Sequence, residues 1–298
     1  MKKALLLLMM ALLFSILCLT TKAQQQVDTL NLYQVETTDG NQFTGVLMAD
    51  DQEQITLKTE KLGTIIIKKA DIIKMTKLEA KNVVDGKVWL ENTQSSRYFW
   101  APNGFGLKKG EGYYQNLWIM MNQISLGLTD NFSIGVGLIP LFLFGADAAQ
   151  YSPIWIVPKF SIPITKDQFS IGAGILAGNA GFQPNSGFGI AYGVATLGNR
   201  NDNFTFGLGY GYAGSDWAKR PVITLGFMAR TGPKGYILSE NYYIKTEDVS
   251  LVLFSIGGRT LSSHIGIDYG LFIPIEKDMD FIALPWLGLS VPFKNKKK

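Results

Sequence analysis

Between Phe132 and Phe293 the chain alternates bulky apolar residues with small ones, and no other feature limits its fold as much. In "NFSIGVGLIPLFLF", Phe132, Ile134, Val136 and Leu138 fall on one face, with Ser133, Gly135 and Gly137 on the other. In "QFSIGAGILAG", Phe169, Ile171, Ala173 and Ile175 oppose Ser170, Gly172 and Gly174. In "SGFGIAYGVAT", Phe188, Ile190, Tyr192 and Val194 oppose Gly189, Ala191, Gly193 and Ala195. Period two means strands. A soluble sandwich would leave its second face to Lys, Glu, Gln and Thr, but here that face is mostly Gly, Ala and Ser. Bulk on one side and small or polar residues on the other is what a barrel in lipid needs, with the bulk outward. About 10 residues at ~3.3 Å each, tilted ~45°, rise roughly 23 Å, close to the apolar band of an outer membrane. The fold expected is all-β: an antiparallel transmembrane β-barrel.

The same alternation explains a misleading motif. In "FTFGLGYGYAGSD", Gly209, Gly211 and Gly214 have the G-x-G-x-x-G spacing of a dinucleotide loop. Such a loop needs a helix opening at its last glycine and an acid about 20 residues on. Here Pro221 and another alternating run follow, and "MARTGPKG" carries no acid. Read across its faces, the stretch is a strand: Phe204, Phe206, Leu208, Tyr210 and Tyr212 on the lipid side, Thr205, Gly207, Gly209 and Gly211 inside. Tyr269, in "SSHIGIDYGLF", joins the lipid-facing set. Trp118, Trp155 and Trp286 are candidates for interfacial girdles.

Eleven alternating runs can be marked between Tyr113 and Phe293, the first of them Tyr113–Leu128. Bacterial single-chain barrels have even strand numbers. "RYFWAPNGFGL", Arg97–Leu107, is the candidate for a missing first strand, which makes about 12; ten, with two runs merged, is the rival count. "TDN", "TKDQ", "GNRNDN", "TGPKG" and "LSS" then become periplasmic turns. "LKKGEG", "GADAAQYS", "NAGFQPNS", "AGSDWAKR", "KTEDV" and "EKDMD" become external loops.

"RYFWAPNGFGLKKGEGYYQN" followed by "ISLGLTDNFSIGVGLIP" resembles the start of an uncharacterised family of bacterial outer-membrane β-barrel proteins, over about residues 97–293. The resemblance implies fold, an outer-membrane location in a Gram-negative bacterium, and contact with outer-membrane lipid; it brings no catalytic residues. It also implies a last-strand aromatic read by the barrel assembly machinery. Phe293 matches it, and the basic tail "KNKKK" departs from the pattern.

The N-terminal part reads differently. "MKKALLLLMMALLFSILCLTTKA" has a basic start, an apolar stretch and small residues at Thr21 and Ala23, so residues 1–23 are expected to be a cleaved signal peptide. A transmembrane anchor is the rival. Removing Lys2, Lys3 and Lys22 from the 28 basic residues leaves 25 against 24 acidic ones, a net charge of +1. Nothing there suggests nucleic acid. Cys18 is the only cysteine and lies in the expected leader, which leaves no disulfide or thiol chemistry. Residues 24–95 break into short β-prone runs marked by Asp39-Gly40, Asp50-Asp51 and Leu62-Gly63. They resemble a small SH3-like or Sm-like module, read as periplasmic with a possible partner there. The barrel is expected over 96–298.

His264 is the sole histidine, so no metal site is expected, nor any cofactor. His264 and Asp268 are four apart on one strand, about 13 Å by strand rise, too far to work as a pair. By parity Lys159, Arg230, Arg259, His264 and Asp268 point into the lumen, and Glu240 joins them if its ambiguous strand is so turned. Charges inside a barrel pair across it and close it, or line a wet passage. Three functions remain open. They are a porin-like channel for small solutes, a closed structural or interaction barrel, and a barrel-embedded lipid hydrolase or acyltransferase; a non-enzymatic role is favoured.

Overall fold

The computed structural model describes residues 32–59, 62–77, 83–84, 87–140, 152–181, 185–247, 249–262, 265–276 and 282–294. The expected signal peptide, His264 and the tail beyond Lys294 lie outside these residues. The chain divides into two compact units, Met1–Trp89 and Leu90–Lys298.

In the first unit, β1 (Leu32–Thr37), β2 (Gln42–Asp50), β3 (Gln54–Thr59), β4 (Gly63–Lys68) and β5 (Ile72–Lys77) form one antiparallel sheet in the order β4-β3-β2-β1-β5. A short 3₁₀ turn, Lys69–Asp71, leads into β5. Val35, Ile55, Leu57 and Ile67 make its buried core. Gly40, at φ +81°, takes the left-handed position of the β1–β2 turn, and Asp39 accepts hydrogen bonds from the Thr37 hydroxyl and the Asn41 amides. These bonds hold the Asp39 carboxyl below the ordinary range. A small pairing, β6 (Val83–Val84) with β7 (Lys87–Val88), follows.

The second unit is the barrel. Its strands are β8 (Glu111–Leu117), β9 (Met121–Gly127), β10 (Phe132–Leu138), β11 (Pro153–Thr165), β12 (Phe169–Ala180), β13 (Gly187–Gly198) and β14 (Asn203–Ala213). Then come the two-residue β15 (Asp216–Trp217), β16 (Val222–Arg230), β17 (Gly235–Lys245), β18 (Ser250–Leu261), β19 (Gly266–Ile275) and β20 (Leu284–Lys294). Apart from β15, each pairs antiparallel with its neighbours, and the ring is closed by β8 on β20, with Gly112 opposite Phe293. Twelve strands thus make the wall, the thirteen of the sheet less β15. Along β14, Asn203, Thr205, Gly207 and Gly209 are buried while Phe204, Phe206, Leu208 and Tyr210 are exposed. Large apolar residues on most of the other wall strands are exposed in the same way. Contiguous outward apolar surface on this scale is a lipid-facing surface.

Three expectations are corrected. Arg97–Leu107 is not a strand: it holds one isolated bridge, Arg97 to Pro102, and is buried almost throughout. The twelfth strand comes from Tyr113–Leu128, which is two strands joined by a turn at Trp118–Met120, closed by a hydrogen bond from Met120 N to Leu117 O. Trp118 and Ile119 sit at φ 47° and 67° there, positions usually filled by Gly or Asn, so no turn signal marks them. "LKKGEG" consequently leads into β8, at the barrel end that also carries Lys294 and the turns 128–131, 166–168, 199–202 and 231–234.

The third correction concerns β13, where the bulky set points inward. Val194 and Thr196 are buried, and Val194 stands opposite Gly172 on β12 and Gly207 on β14. A Cβ on Gly174 would lie 2.5 Å from the Tyr192 hydroxyl, and one on Gly209 2.7 Å from Ile190 Cδ1. The glycines of the nucleotide-like stretch therefore make room for the side chains of the strand beside them. Ala191, Gly193 and Ala195 take the outward positions.

Phe206→Arg places a guanidinium in the middle of the outward face. It should lower folding stability by about 2–4 kcal/mol, against about 0–1 kcal/mol for Ala213→Arg at the strand end. Urea titration of the protein refolded into lipid vesicles reads both.

Candidate functional site

The lumen is filled from within the chain. Residues 90–107 enter at the end that carries both strand termini, where Leu90 N donates to Pro233 O and Arg230 Nη2 to Leu90 O at 2.7 Å. The segment runs in to Phe99 and Trp100, turns, and leaves past Phe105. Tyr98 and Phe99 are fully buried and pack in one cluster with Leu117, Met228, Leu238, Phe272 and Trp286. Trp155 and Trp286 are therefore inside the barrel, while Trp118 is partly exposed.

Polar contacts tie this plug to the wall. Asp268 accepts from Arg97 Nη1 at 2.8 Å, and from Arg259 Nε at 2.6 Å and Nη2 at 3.1 Å. The same two guanidinium groups also clamp the plug backbone. Arg97 donates to the Tyr98 and Phe99 carbonyls, and Arg259 to those of Gln94 and Tyr98. Arg97 also reaches Ser290 Oγ at 2.7 Å. Glu240 accepts from the backbone N–H groups of Trp100 (2.7 Å) and Ala101 (2.8 Å) and from the Tyr242 hydroxyl. Tyr98 donates to Asn203 Oδ1 at 2.6 Å and lies 2.7 Å from Thr205 Oγ1. Lys159 donates to Ser96 O at 3.0 Å and Phe105 O at 2.6 Å, so one amine bridges both arms of the plug. At the mouth, Arg200 bonds Ser95 Oγ and Gly106 O. Burial lowers the Arg200 pKa, and nearby acids including Glu111 and Glu91 oppose that shift.

Lys159, Glu240, Arg259 and Asp268 thus meet in the lumen, and all four are buried. Arg230 sits half-buried at its mouth. Phe204, Phe206, Tyr210, Tyr269 and Phe293 are exposed outward, and Tyr212 packs on Trp217 with ring centroids 5.0 Å apart. Missed at the level of sequence were Asn92, Gln94, Arg97, Tyr98 and Ser290. The signal was present: "ENTQSSRYFWAPNG" groups its polar residues, then its aromatics, then a Pro-Asn-Gly turn, and does not alternate.

Above the plug, toward the loop end, a cavity of about 160 Å³ remains between Trp100, Ala101 and Pro102 and the wall from β8 to β17. Among the described residues no cluster of His, Cys, Asp and Glu could hold a metal.

A closed, apolar-coated, twelve-stranded antiparallel wall of this kind defines an outer-membrane β-barrel protein. No family model matches the chain, and no curated protein does. Among solved structures it is similar to the KdgM porin, at 8% identity and TM-score 0.43, over 61% of this chain and 98% of that one. It is similar also to the KdgM porin in complex with disordered oligogalacturonate, at 9% identity and TM-score 0.43, over 61% and 98%. A third is a loop L8 deletion mutant of OmpT, an outer membrane protein of Vibrio cholerae, at 10% identity and TM-score 0.35, over 88% and 96%.

Asp268→Asn leaves two buried guanidinium groups without their carboxylate. The expected loss is about 3–5 kcal/mol, measured as a fall in the urea midpoint of the vesicle-embedded protein.

Proposed function

We propose that this is a closed outer-membrane barrel, non-enzymatic, that works as a cup open toward the cell exterior and carries an interaction module in the periplasm. The observation that supports it is the plug: residues 90–107 fill the half of the lumen nearest the strand termini, held by Arg97, Lys159, Glu240, Arg259 and Asp268. Short connections gather at that end, while Leu138, Ala180, Ala213 and Ile275, the strand ends from which the longer connections leave, lie at the other, the polarity expected of periplasmic turns and external loops. The module's strand order, with a 3₁₀ turn before its last strand, supports the SH3-like reading and a periplasmic partner. Against hydrolysis, Asp268 is already engaged by two arginines.

A second reading, a channel that opens when the plug withdraws, draws on the wall behind it. Ser161, Ser170, Gly172, Thr196, Thr205 and Gly226 would line an emptied, polar lumen. Planar-bilayer recording separates the two. The intact protein should be silent, and replacing residues 92–106 with a Gly-Ser linker should produce stepwise current. Current in the intact protein equal to that of the replacement would rule out the closed barrel.

A further inference from the structure

We propose that the cavity above the plug binds a small organic carboxylate with a compact ring body. The inference rests on the closed-cup reading, since a withdrawn plug would remove the cavity floor. Its lining carries two cationic residues, Arg97 and Lys159, and no Asp or Glu. Arg97 is matched by Asp268, while Lys159 has no carboxylate within ion-pair distance among the described residues. An ammonium carries three donors, and the Ser96 and Phe105 carbonyls take two of them. A buried cation held only by carbonyls is under-compensated, and an arriving carboxylate completes it.

The neutral groups point the same way. Gln115 lines the cavity at 1% exposure, and its Nε2 meets no acceptor among the described residues. The Tyr192 hydroxyl and Arg97 Nε, on two more lining residues, are likewise without partners there. Buried donors without acceptors favour a ligand rich in acceptor oxygens. The remainder of the lining is broad and apolar, with Trp100, Tyr113, Leu107 and Val194 among it, which suits a ring rather than a hydrated inorganic ion. Size agrees: a cavity of about 150 Å³ accepts a benzene ring, and this one offers about 160 Å³.

The test titrates benzoate into the purified full-length protein in detergent and follows tryptophan fluorescence. Trp100 lines the cavity and packs on Trp155 at 6.1 Å. Benzyl alcohol serves as the neutral match, and sodium chloride fixes ionic strength. Saturable benzoate quenching is expected, at least tenfold tighter than for benzyl alcohol. Lys159→Met and Gln115→Leu should each weaken it at least tenfold. Equal response to the two probes, no saturation, or unchanged binding in either folded variant would overturn the proposal. If Lys159→Met loses its heat-modifiable gel shift, Gln115→Leu decides, because that side chain holds no part of the plug. Bilayer recordings on the same preparation keep the two ideas apart. Current through the intact protein removes the cup, and a silent protein that ignores benzoate removes only the ligand.

Discussion

Asp268 stands between two guanidinium groups, and the interior is organised around that one carboxylate. Each arginine, while neutralised by it, also donates to carbonyls of residues 94–99, and Arg97 reaches Ser290 as well. A charge cannot be left in a lumen of low dielectric without partners. The plug backbone supplies acceptors, and the arginines satisfy carbonyls that belong to no sheet. Plug and barrel therefore complete each other's polar groups. Glu240 does the converse, offering acceptors to the N–H groups at the plug's tip.

The wall accommodates this content through reciprocal sizes. At several places where plug or neighbouring strand is bulky, the facing residue is glycine. A Cβ on Gly226 would lie 2.0 Å from the Tyr98 ring, and one on Gly104 of the plug 2.5 Å from the Ser170 carbonyl. Where β12 and β14 are bare, β13 fills in with Val194, Tyr192 and Ile190. The small residues thus mark places where another part of the molecule approaches closely, more than places left for water.

Alternation made the barrel legible, because lipid imposes the same demand on every wall strand. Alternation alone could not say which set was outward on β13, since both sets are apolar and the neighbours decide. Lys159, Arg259 and Asp268 were readable as inward from parity, yet their partners were not, because the plug belongs to no periodic element. Tyr113–Leu128 looked like one strand because Trp118 and Ile119 make a tight turn without the residues that usually signal one. Exposure of Phe204, Phe206 and Tyr210 was plain from sequence, while Trp155 and Trp286 were not, since aromatics serve equally as girdle and as core.

The clasp on the plug also bears on how the molecule comes to be made. Arg97 meets Asp268 across 171 residues and Ser290 across 193. The segment that emerges ahead of the first wall strand is held by side chains of the last two. Contacts at such separation require long loops to close before they contribute. These two bonds need both strands of the final hairpin, β19 and β20, and β20 is also the strand that pairs with β8 to close the ring. One strand thus both completes the wall and holds its filling.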